Sequence, residues 1–512
     1  MAVFILRRLV VSFFILVAAT FIMYVLVAIS GNPLDDLLSD PSPNRDDKIR
    51  ARVQLLHLDQ SVPRRYLTWI SGVAQCAVPG GGCDLGKNLR GQDVSALLGL
   101  AAGSTIRLVT IATLVAILLG VSIGIVSALR QYTGFDYTIT FSAFLFFSLP
   151  VFWIAVLLKQ YLAIGLNDWL ADPKISLASA AVLAAGSALF WGAVLGGAPK
   201  RKWAVRGIAG AASLAILLYL SSVEWFRRPA LGPALIAVLA FGAAVGITVL
   251  VSGLARRPVL YSALVMAGIG SVGQFAFTPF IESRTWATWG TMLGLVVATV
   301  LVGIGVGAVL GGLDKGQAAR AAVFTGLVAG GLIFVDVALR AVPRYFKVKS
   351  GRIVATTGDS TPNFTGDFWT RLLDVGLHLL LPTLAIMLIS FATYSRYSRA
   401  SMLEVMNQDY VRTARAKGLT ERTVVMRHAF RNALIPITTL MAFDFGALLG
   451  GAVITENVFG WQGMGKLFVQ GLLQVDPNPV MGFFIVTAVA VVVFNMIADI
   501  AYAYLDPRIR LS

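Results

Sequence analysis

Residues 9–29 read LVVSFFILVAATFIMYVLVAI, and this uninterrupted apolar stretch decides the fold class. A helix needs about 20 such residues to cross the hydrocarbon core of a bilayer. Arg7 and Arg8 precede the stretch, as basic residues precede a cleaved signal sequence. However, the stretch exceeds a signal core of about 7–15 residues, and no small-x-small cleavage site closes it. We therefore interpret it as a retained first membrane span.

The composition extends this interpretation to the whole chain. Of the 512 residues, 57% are hydrophobic and 13% are charged, whereas soluble domains have about 45–50% apolar and about 25% charged residues. Lys and Arg total 42 against 26 Asp and Glu, a formal charge of +16. In a soluble protein this excess of basic residues would suggest binding to nucleic acid. In a membrane protein the basic residues lie on cytoplasmic loops that face anionic lipid. We expect a lipid bilayer and no nucleic acid as partner.

Apolar stretches of span length predict an all-α polytopic membrane protein with about 12 transmembrane helices, because only helices satisfy their own backbone hydrogen bonds in lipid and alternating barrel strands are absent. The predicted spans are 4–28, 101–129, 138–166, 175–197, 203–222, 230–254, 259–281, 288–312, 318–341, 375–395, 433–456 and 480–505. Cytoplasmic N- and C-termini place most of the basic loops inside. Two external segments follow from this topology, 31–100 and 346–374.

The most informative segment is QDYVRTARAKGLTERTVVMRHAFRNALIPI at residues 408–437, within a predicted cytoplasmic loop at 396–432. Good helix formers fill 402–417, Gly418 suits the left-handed turn that ends a helix, and Thr420 can cap the next helix. Glu421 falls in the first turn of that second helix, where an acid is favoured. Eight basic residues in the loop are explained by topology alone, but an ordered helix, turn and helix are not.

This segment resembles the coupling motif of binding-protein-dependent ABC importer permeases of the oligopeptide/dipeptide branch, in particular the B-type membrane subunit. Further resemblances are FILRRL at 4–9, LHLDQSVPRRYLTW at 56–69, LPVFW at 149–153, ENVFGWQGMGKL at 456–467 and YLDPRIRL at 504–511. Arg412 stands where many such permeases have an acid. The resemblance covers about 1–170 and 370–512.

The resemblance implies a six-helix type I importer core in two parts, 1–170 and 375–512. Between them, 171–345 looks like an insertion of about six further helices, and an even number preserves the orientation of everything downstream. The core implies a homologous second permease, two cytoplasmic ATPase subunits that bind ATP and magnesium, and an extracytoplasmic substrate-binding protein. The chain would then be a multi-pass subunit of a prokaryotic plasma membrane, without catalytic chemistry or a cofactor of its own, that imports short peptides. A metal chelate or an opine is the alternative cargo.

The candidate functional residues fall into two sets. Those expected to couple the permease to the ATPases are Tyr410, Arg412, Ala414, Arg415, Ala416, Lys417, Gly418, Glu421, Arg422, His428, Arg431 and Asn432. Ionisable groups in or near spans are functional candidates by default, and here they are Asp444, Glu456 and Lys159 as pathway residues. Asp444 has helix-to-helix hydrogen bonding as an equal alternative, and the alternative for Lys159 is that its amine extends outward to the interface.

Three other features of the sequence are a partial phosphate-loop motif, a pair of cysteines and the histidines. GWQGMGK at 460–466 matches part of a phosphate loop, but Leu467 replaces the magnesium-binding hydroxyl and no strand precedes it. Cys76 and Cys83 enclose a short external loop that we expect to close as a disulfide rather than hold free thiols. The histidines are too scattered for a metal site.

Two other classes of protein compete with an importer subunit. A secondary transporter accounts for many spans and for helices rich in small residues, but it needs no docking element for an ATPase. A membrane enzyme would require a cluster of nucleophiles, metal ligands or acid–base pairs, and the spans show none. The helix, turn and helix at 402–432 therefore favour the importer.

Overall fold

The computed structural model describes residues 2–76, 78, 81–195, 197–283 and 285–505. The regular structure of the described residues is helical: α-helices, two π-helical segments and one 3-10 turn, beside one isolated bridge between Lys87 and Asp93. Eleven of its helices are long and apolar enough to cross a membrane, which confirms the predicted all-α, multi-pass membrane protein. The span predicted at 433–456 is helical over Phe430–Gly451 but is not among these eleven.

The N-terminal part begins with the first span and three short helices. A long helix follows, and then a chain of shorter helical segments. Its elements are α1 (Ala2–Ile29), α2 (Asp35–Leu38), α3 (Arg45–Leu56), α4 (Val62–Gln75), α5 (Val94–Leu129), α6 (Gly134–Ser148), α7 (Val151–Leu158), a π-helical segment (Lys159–Gly165) and α8 (Leu166–Ala171). The span predicted at 138–166 is thus two helices. They separate at Pro150, because proline disfavours helical geometry in the residue before it.

The central part consists of six long helices with short connections. They are α9 (Leu177–Leu195), α10 (Pro199–Ser222), α11 (Gly232–Val251), α12 (Arg257–Glu282), α13 (Trp289–Leu310) and α14 (Lys315–Val348). A β-carbon on Gly303 would lie 2.8 Å from the Cα of Val323, and one on Gly270 would lie 2.7 Å from the side chain of Ala329. These glycines therefore permit close packing of the helices.

The C-terminal part follows a connecting segment, 349–367, that we call the strap. Its elements are α15 (Phe368–Met406), α16 (Asp409–Ala416), α17 (Glu421–Thr423), a second π-helical segment (Val424–Ala429), α18 (Phe430–Gly451), α19 (Val453–Val458), α20 (Met464–Leu473) and α21 (Pro477–Leu505). With 39 residues, α15 runs from the strap at one end of the bundle to α16 at the other. We call these the strap end and the elbow end.

The centre of the bundle is the contact between α5 and α15. A β-carbon on Gly120 would lie 2.6 Å from the Cβ of Tyr394, and one on Gly124 would lie 2.5 Å from the carbonyl oxygen of Ser395. The absence of side chains at these two positions lets the helix backbones approach closely. α18 packs against the same pair through the buried Ile437. The elements on either side of the elbow are therefore joined in one apolar core.

The strap, which follows the central helices, is hydrogen-bonded to both the N-terminal and the C-terminal part of the chain. Asn167 of α8 donates to the carbonyl of Val354 and accepts from its amide, both at 2.9 Å. The amide of Gly358 donates to the carbonyl of Phe459 at 2.8 Å, and Ser104 of α5 donates to the carboxylate of Asp359 at 2.9 Å. The strap is thus an ordered cover that contacts α5, α8 and the end of α19.

Candidate functional site: the elbow and the strap-end cavity

The elbow, residues 407–429, has the predicted turn at its centre. Gly418 adopts φ +74°, a left-handed conformation that costs glycine nothing but strains residues with a β-carbon. Its amide donates to the carbonyl of Arg415 at 2.9 Å. The next helix begins at Thr420, whose hydroxyl accepts from the amide of Thr423 at 3.4 Å. The glycine turn and the threonine cap are therefore confirmed.

The elbow has two arms, residues 407–417 before the turn and residues 420–429 after it. The first arm differs from its prediction. The single helix expected over 402–417 is interrupted, because α15 ends at Met406 and α16 begins at Asp409. The break turns α16 so that Val411 and Ala414 are buried against Met406 and against Val424 from the second arm. The elbow therefore has a small apolar core of its own.

Polar contacts brace the two arms across the turn. The guanidinium of Arg415 donates to both carboxylate oxygens of Glu421, at 3.1 and 2.7 Å. These hydrogen bonds hold the pKa of Glu421 below its usual value. At the far end, the amide of Asn432 donates to the hydroxyl of Tyr410 at 2.9 Å. One end of α16 is thus tied to Glu421 of α17 and the other end to Asn432 of α18. Because both ends are held, the elbow can move as one rigid unit.

The candidate coupling residues do not all face outward. Ala414 is buried in the core of the elbow, and His428 and Asn432 are half-buried. The exposed candidates are Tyr410, Arg412, Arg415, Ala416, Lys417, Gly418, Glu421, Arg422 and Arg431. Sequence reasoning missed two exposed apolar side chains beside the turn, Leu419 at 39% and Met426 at 58% exposure. The available signal was an apolar residue in a loop that is otherwise basic and predicted to face water.

An ion pair with a buried carboxylate connects the elbow end of α15 to the first turn of α6. The carboxylate of Asp136, 2% exposed, accepts from Arg399 at 2.7 and 2.9 Å. It also accepts from the hydroxyl of Ser127 at 2.5 Å and from the amide of Tyr132 at 3.0 Å. A bidentate contact of this kind fixes orientation as well as distance. Sequence reasoning missed this pair, whose members lie 263 residues apart.

At the strap end, Glu456 is fully buried and its carboxylate is used within the protein. It accepts from the hydroxyl of Thr105 at 2.6 Å and from the amides of Gly465 and Lys466 at 2.7 and 3.1 Å. Those amides open α20, where a negative charge is favourable. Gly463 has no room for a β-carbon, because one would overlap this carboxylate. The GWQGMGK segment is therefore a turn and a capped helix start.

The three candidate pathway residues are not brought together by any bond among the described residues. Asp444 lies half-buried in α18. Lys159 opens the π-helical segment and donates to the carbonyl of Val458 at 3.4 Å. Glu456 is enclosed as described above. Their role in a pathway stays a prediction.

A polar cavity of about 800 Å³ lies between α5, α20 and the strap. Its charged lining carries both signs: Arg90, Arg107, Lys466, Asp359 and Asp476. Side-chain amides complete the lining: Asn88, Gln92, Gln462, Gln470 and Gln474. Such a surface offers partners to cations, anions and amide groups alike.

Two smaller predictions concern the cysteines and metals. Cys76 and Cys83 form a disulfide, with their Cα atoms 4.2 Å apart. No group of three or more His, Cys, Asp or Glu side chains in the described ranges is placed to hold a metal ion.

Comparison with known proteins agrees with these features. Residues 327–511 match the family described as "Binding-protein-dependent transport system inner membrane component". The chain is 44% identical over 156 residues to the "Oligopeptide transport system permease protein OppB" of Mycobacterium tuberculosis, covering 30% of this chain and 48% of the relative.

Two further relatives show similar coverage. The chain is 47% identical over 133 residues to the "Oligopeptide transport system permease protein AppB" of Bacillus subtilis, covering 26% of this chain and 42% of the relative. Identity to the "Dipeptide transport system permease protein DppB" of Escherichia coli is 40% over 138 residues, covering 27% and 41%. The chain thus spans somewhat less than half the length of the curated relatives it matches. The predicted resemblance to peptide permeases is confirmed over that part.

Proposed function

We propose that this chain is the membrane-spanning permease subunit of an ATP-driven importer of short peptides. The observation that carries the proposal is the elbow, a braced helix–turn–helix with an exposed face, continuous with α15 through the bundle and located within the matched family region. The elbow end would face the cytoplasm, together with both termini, and the strap end would face outward.

The elbow would dock on one of two cytoplasmic ATPase subunits, which would bind the ATP and magnesium. Its rim is basic, and Leu419 and Met426 project beside the turn. These apolar side chains would enter a cleft on an ATPase, while the Arg415–Glu421 bridge keeps the two arms from separating. A rigid-body movement of the ATPases would then pass to α15 and α18 and switch access between the two faces.

The cavity at the strap end supports a peptide cargo. A short peptide carries an amine, a carboxylate and several amide groups, and the cavity lining has acids, bases and side-chain amides to match them. An extracytoplasmic binding protein would deliver the peptide at this end, and a homologous second permease would complete the pathway. The subunit itself would carry no catalytic group and no cofactor.

The experiment uses a glycine turn that has free space around it. A β-carbon on Gly418 would meet nothing within 4 Å, so a substitution there acts on the backbone or on a docked partner. Asparagine tolerates the left-handed conformation better than most residues. We expect Gly418→Asn to insert normally but to lower uptake of radiolabelled trialanine by the reconstituted complex about tenfold or more, because about 1.4 kcal/mol of lost docking energy corresponds to a factor of ten. The more disruptive Gly418→Asp should uncouple transport further.

Gly312 supplies the matched control. It also has positive φ, +54°, and open space around it, but it lies between α13 and α14. Gly312→Asn should import peptide at the wild-type rate. If Gly418→Asn also imports with normal ATP dependence, the elbow does not couple transport to the ATPases.

A further inference from the structure

A second polar cavity, of about 520 Å³, lies beneath the strap and is separate from the cavity assigned to the cargo. Its walls are the strap at 349–357, the π-helical segment with α8, and α15. A π-helical turn is uncommon and frequently occurs at functional sites. Here it begins at Lys159, one of the cavity's lining residues.

The lining carries an excess of positive charge. Lys159, Lys349 and Arg352 line the cavity, against a single acid, Asp168. Among the described residues, none of the three cations has a carboxylate within 4.0 Å. Lys159 donates to the carbonyl of Val458 at 3.4 Å and Lys349 donates to the hydroxyl of Thr361 at 2.7 Å, and both acceptors are neutral. Lys159 and Lys349 are half-buried and Arg352 is exposed. Three cations without a carboxylate partner around one cavity give it a positive potential, which attracts an anion.

His378 adds a buried polar group to the same wall. It is 4% exposed, and its Nδ1 lies 2.6 Å from the backbone carbonyl of Asp374. A carbonyl only accepts, so Nδ1 carries the proton and Nε2 is the free nitrogen, without a partner in the described part of the chain. The side chain of Asp374 is fixed by Tyr345 and Thr361. The Asp374 carboxylate also lies 3.6 Å from Nδ1. The ring is therefore held in place with Nε2 as an acceptor, so the three cations rather than His378 supply the donors for an anion.

We propose that this cavity binds an oxyanion, a carboxylate or a phosphate, through Lys159, Lys349 and Arg352. Lys349 and Arg352 directly follow the end of α14 at Val348, and the phosphate of a lipid headgroup is one candidate for the oxyanion. The same oxyanion chemistry is available from a small soluble ion or solute. The proposal does not depend on transport, because it concerns binding alone.

The test measures binding to the purified full chain in neutral detergent. One arm follows the thermal unfolding midpoint with sodium phosphate or sodium acetate against sodium chloride at equal ionic strength, since a ligand that binds the folded state raises the midpoint. The other arm measures retention of phosphatidylglycerol against phosphatidylcholine by native mass spectrometry. We expect Arg352→Gln to weaken whichever anion binds by about tenfold, because it removes one charged donor. Lys347→Gln is the matched control, an exposed cation at the end of α14 that does not line the cavity.

The outcomes separate the sources of the anion. A midpoint shift without lipid retention assigns a soluble anion, and selective retention of phosphatidylglycerol assigns a lipid headgroup. Either result supports the site if Arg352→Gln reduces it and Lys347→Gln does not. No binding in either arm, or equal effects of Arg352→Gln and Lys347→Gln, would overturn the proposal.

Discussion

Glu456→Ala should be among the most destabilising single substitutions in the chain. The carboxylate is 0% exposed and accepts three hydrogen bonds, from Thr105, Gly465 and Lys466. A buried donor left without an acceptor costs about 1–3 kcal/mol. Some of that cost is offset because the hydroxyl of Thr105 can rotate. We therefore expect a loss of about 3–5 kcal/mol in the free energy of unfolding, the upper range for one residue.

The neighbouring glycine allows a sharper test through a double-mutant cycle. A β-carbon on Gly463 would overlap the Glu456 carboxylate, and the three atoms nearest to it all belong to that side chain. The backbone of Gly463, at φ −108°, suits any residue. Gly463→Ala should therefore destabilise the wild type but cost little in the Glu456→Ala background. The non-additivity should be about 1–3 kcal/mol, as for residues in contact.

The assay is helical circular dichroism during titration of dodecyl sulfate into mixed micelles. Glu404→Gln is the control, because Glu404 is exposed and forms no ion pair among the described residues, so its effect should stay within about 0.5 kcal/mol. If Glu456→Ala matches this control, or if the two strap-end substitutions are additive, the capping role of Glu456 is refuted.

Two further predictions concern buried carboxylates at the two ends of the bundle. Burial raises the pKa of Asp476 to about 6 from 3.8, so the folded state holds its proton more tightly than the unfolded state. The free energy of unfolding should fall by about 2 kcal/mol as pH rises from about 4 to about 6, and Asp476→Asn should remove this part of the pH dependence. An unchanged pH profile would contradict the assignment. At the elbow end, Asp136→Asn and Arg399→Gln should each cost about 2–4 kcal/mol by leaving a partner unpaired, and the double variant should cost less than their sum; strictly additive losses would show that the pair is not coupled.

Local rules were sufficient to predict the elbow turn and most spans. Gly418 and Thr420 act on their own immediate backbone, so a left-handed turn and a helix cap follow from residue type. Span length is likewise a property of one continuous stretch. The helix break at Pro150 also follows from residue type, but counting apolar residues alone does not predict it.

Contacts between distant residues could not be predicted. The interruption of α15 before Asp409 results from the packing of Val411 and Ala414 against the second arm, which overrides helix propensity. Thr105 and Glu456 lie 351 residues apart, so the sequence alone indicated an ionisable group near a span and not its three partners. The strap contacts of Asn167 and Val354 are invisible for the same reason.

Those strap contacts close the two ends of the central part. Asn167 lies just before the central helices and Val354 just after them, and paired hydrogen bonds of 2.9 Å hold the two together. The central helices also pack against the remainder of the bundle, because Trp369 of α15 shares a buried core with Ile281 and Val337 and donates to the carbonyl of Ile281 at 2.7 Å. Excising the central helices would therefore leave two chain ends close enough to rejoin, but it would uncover the apolar surface of α15 around Trp369.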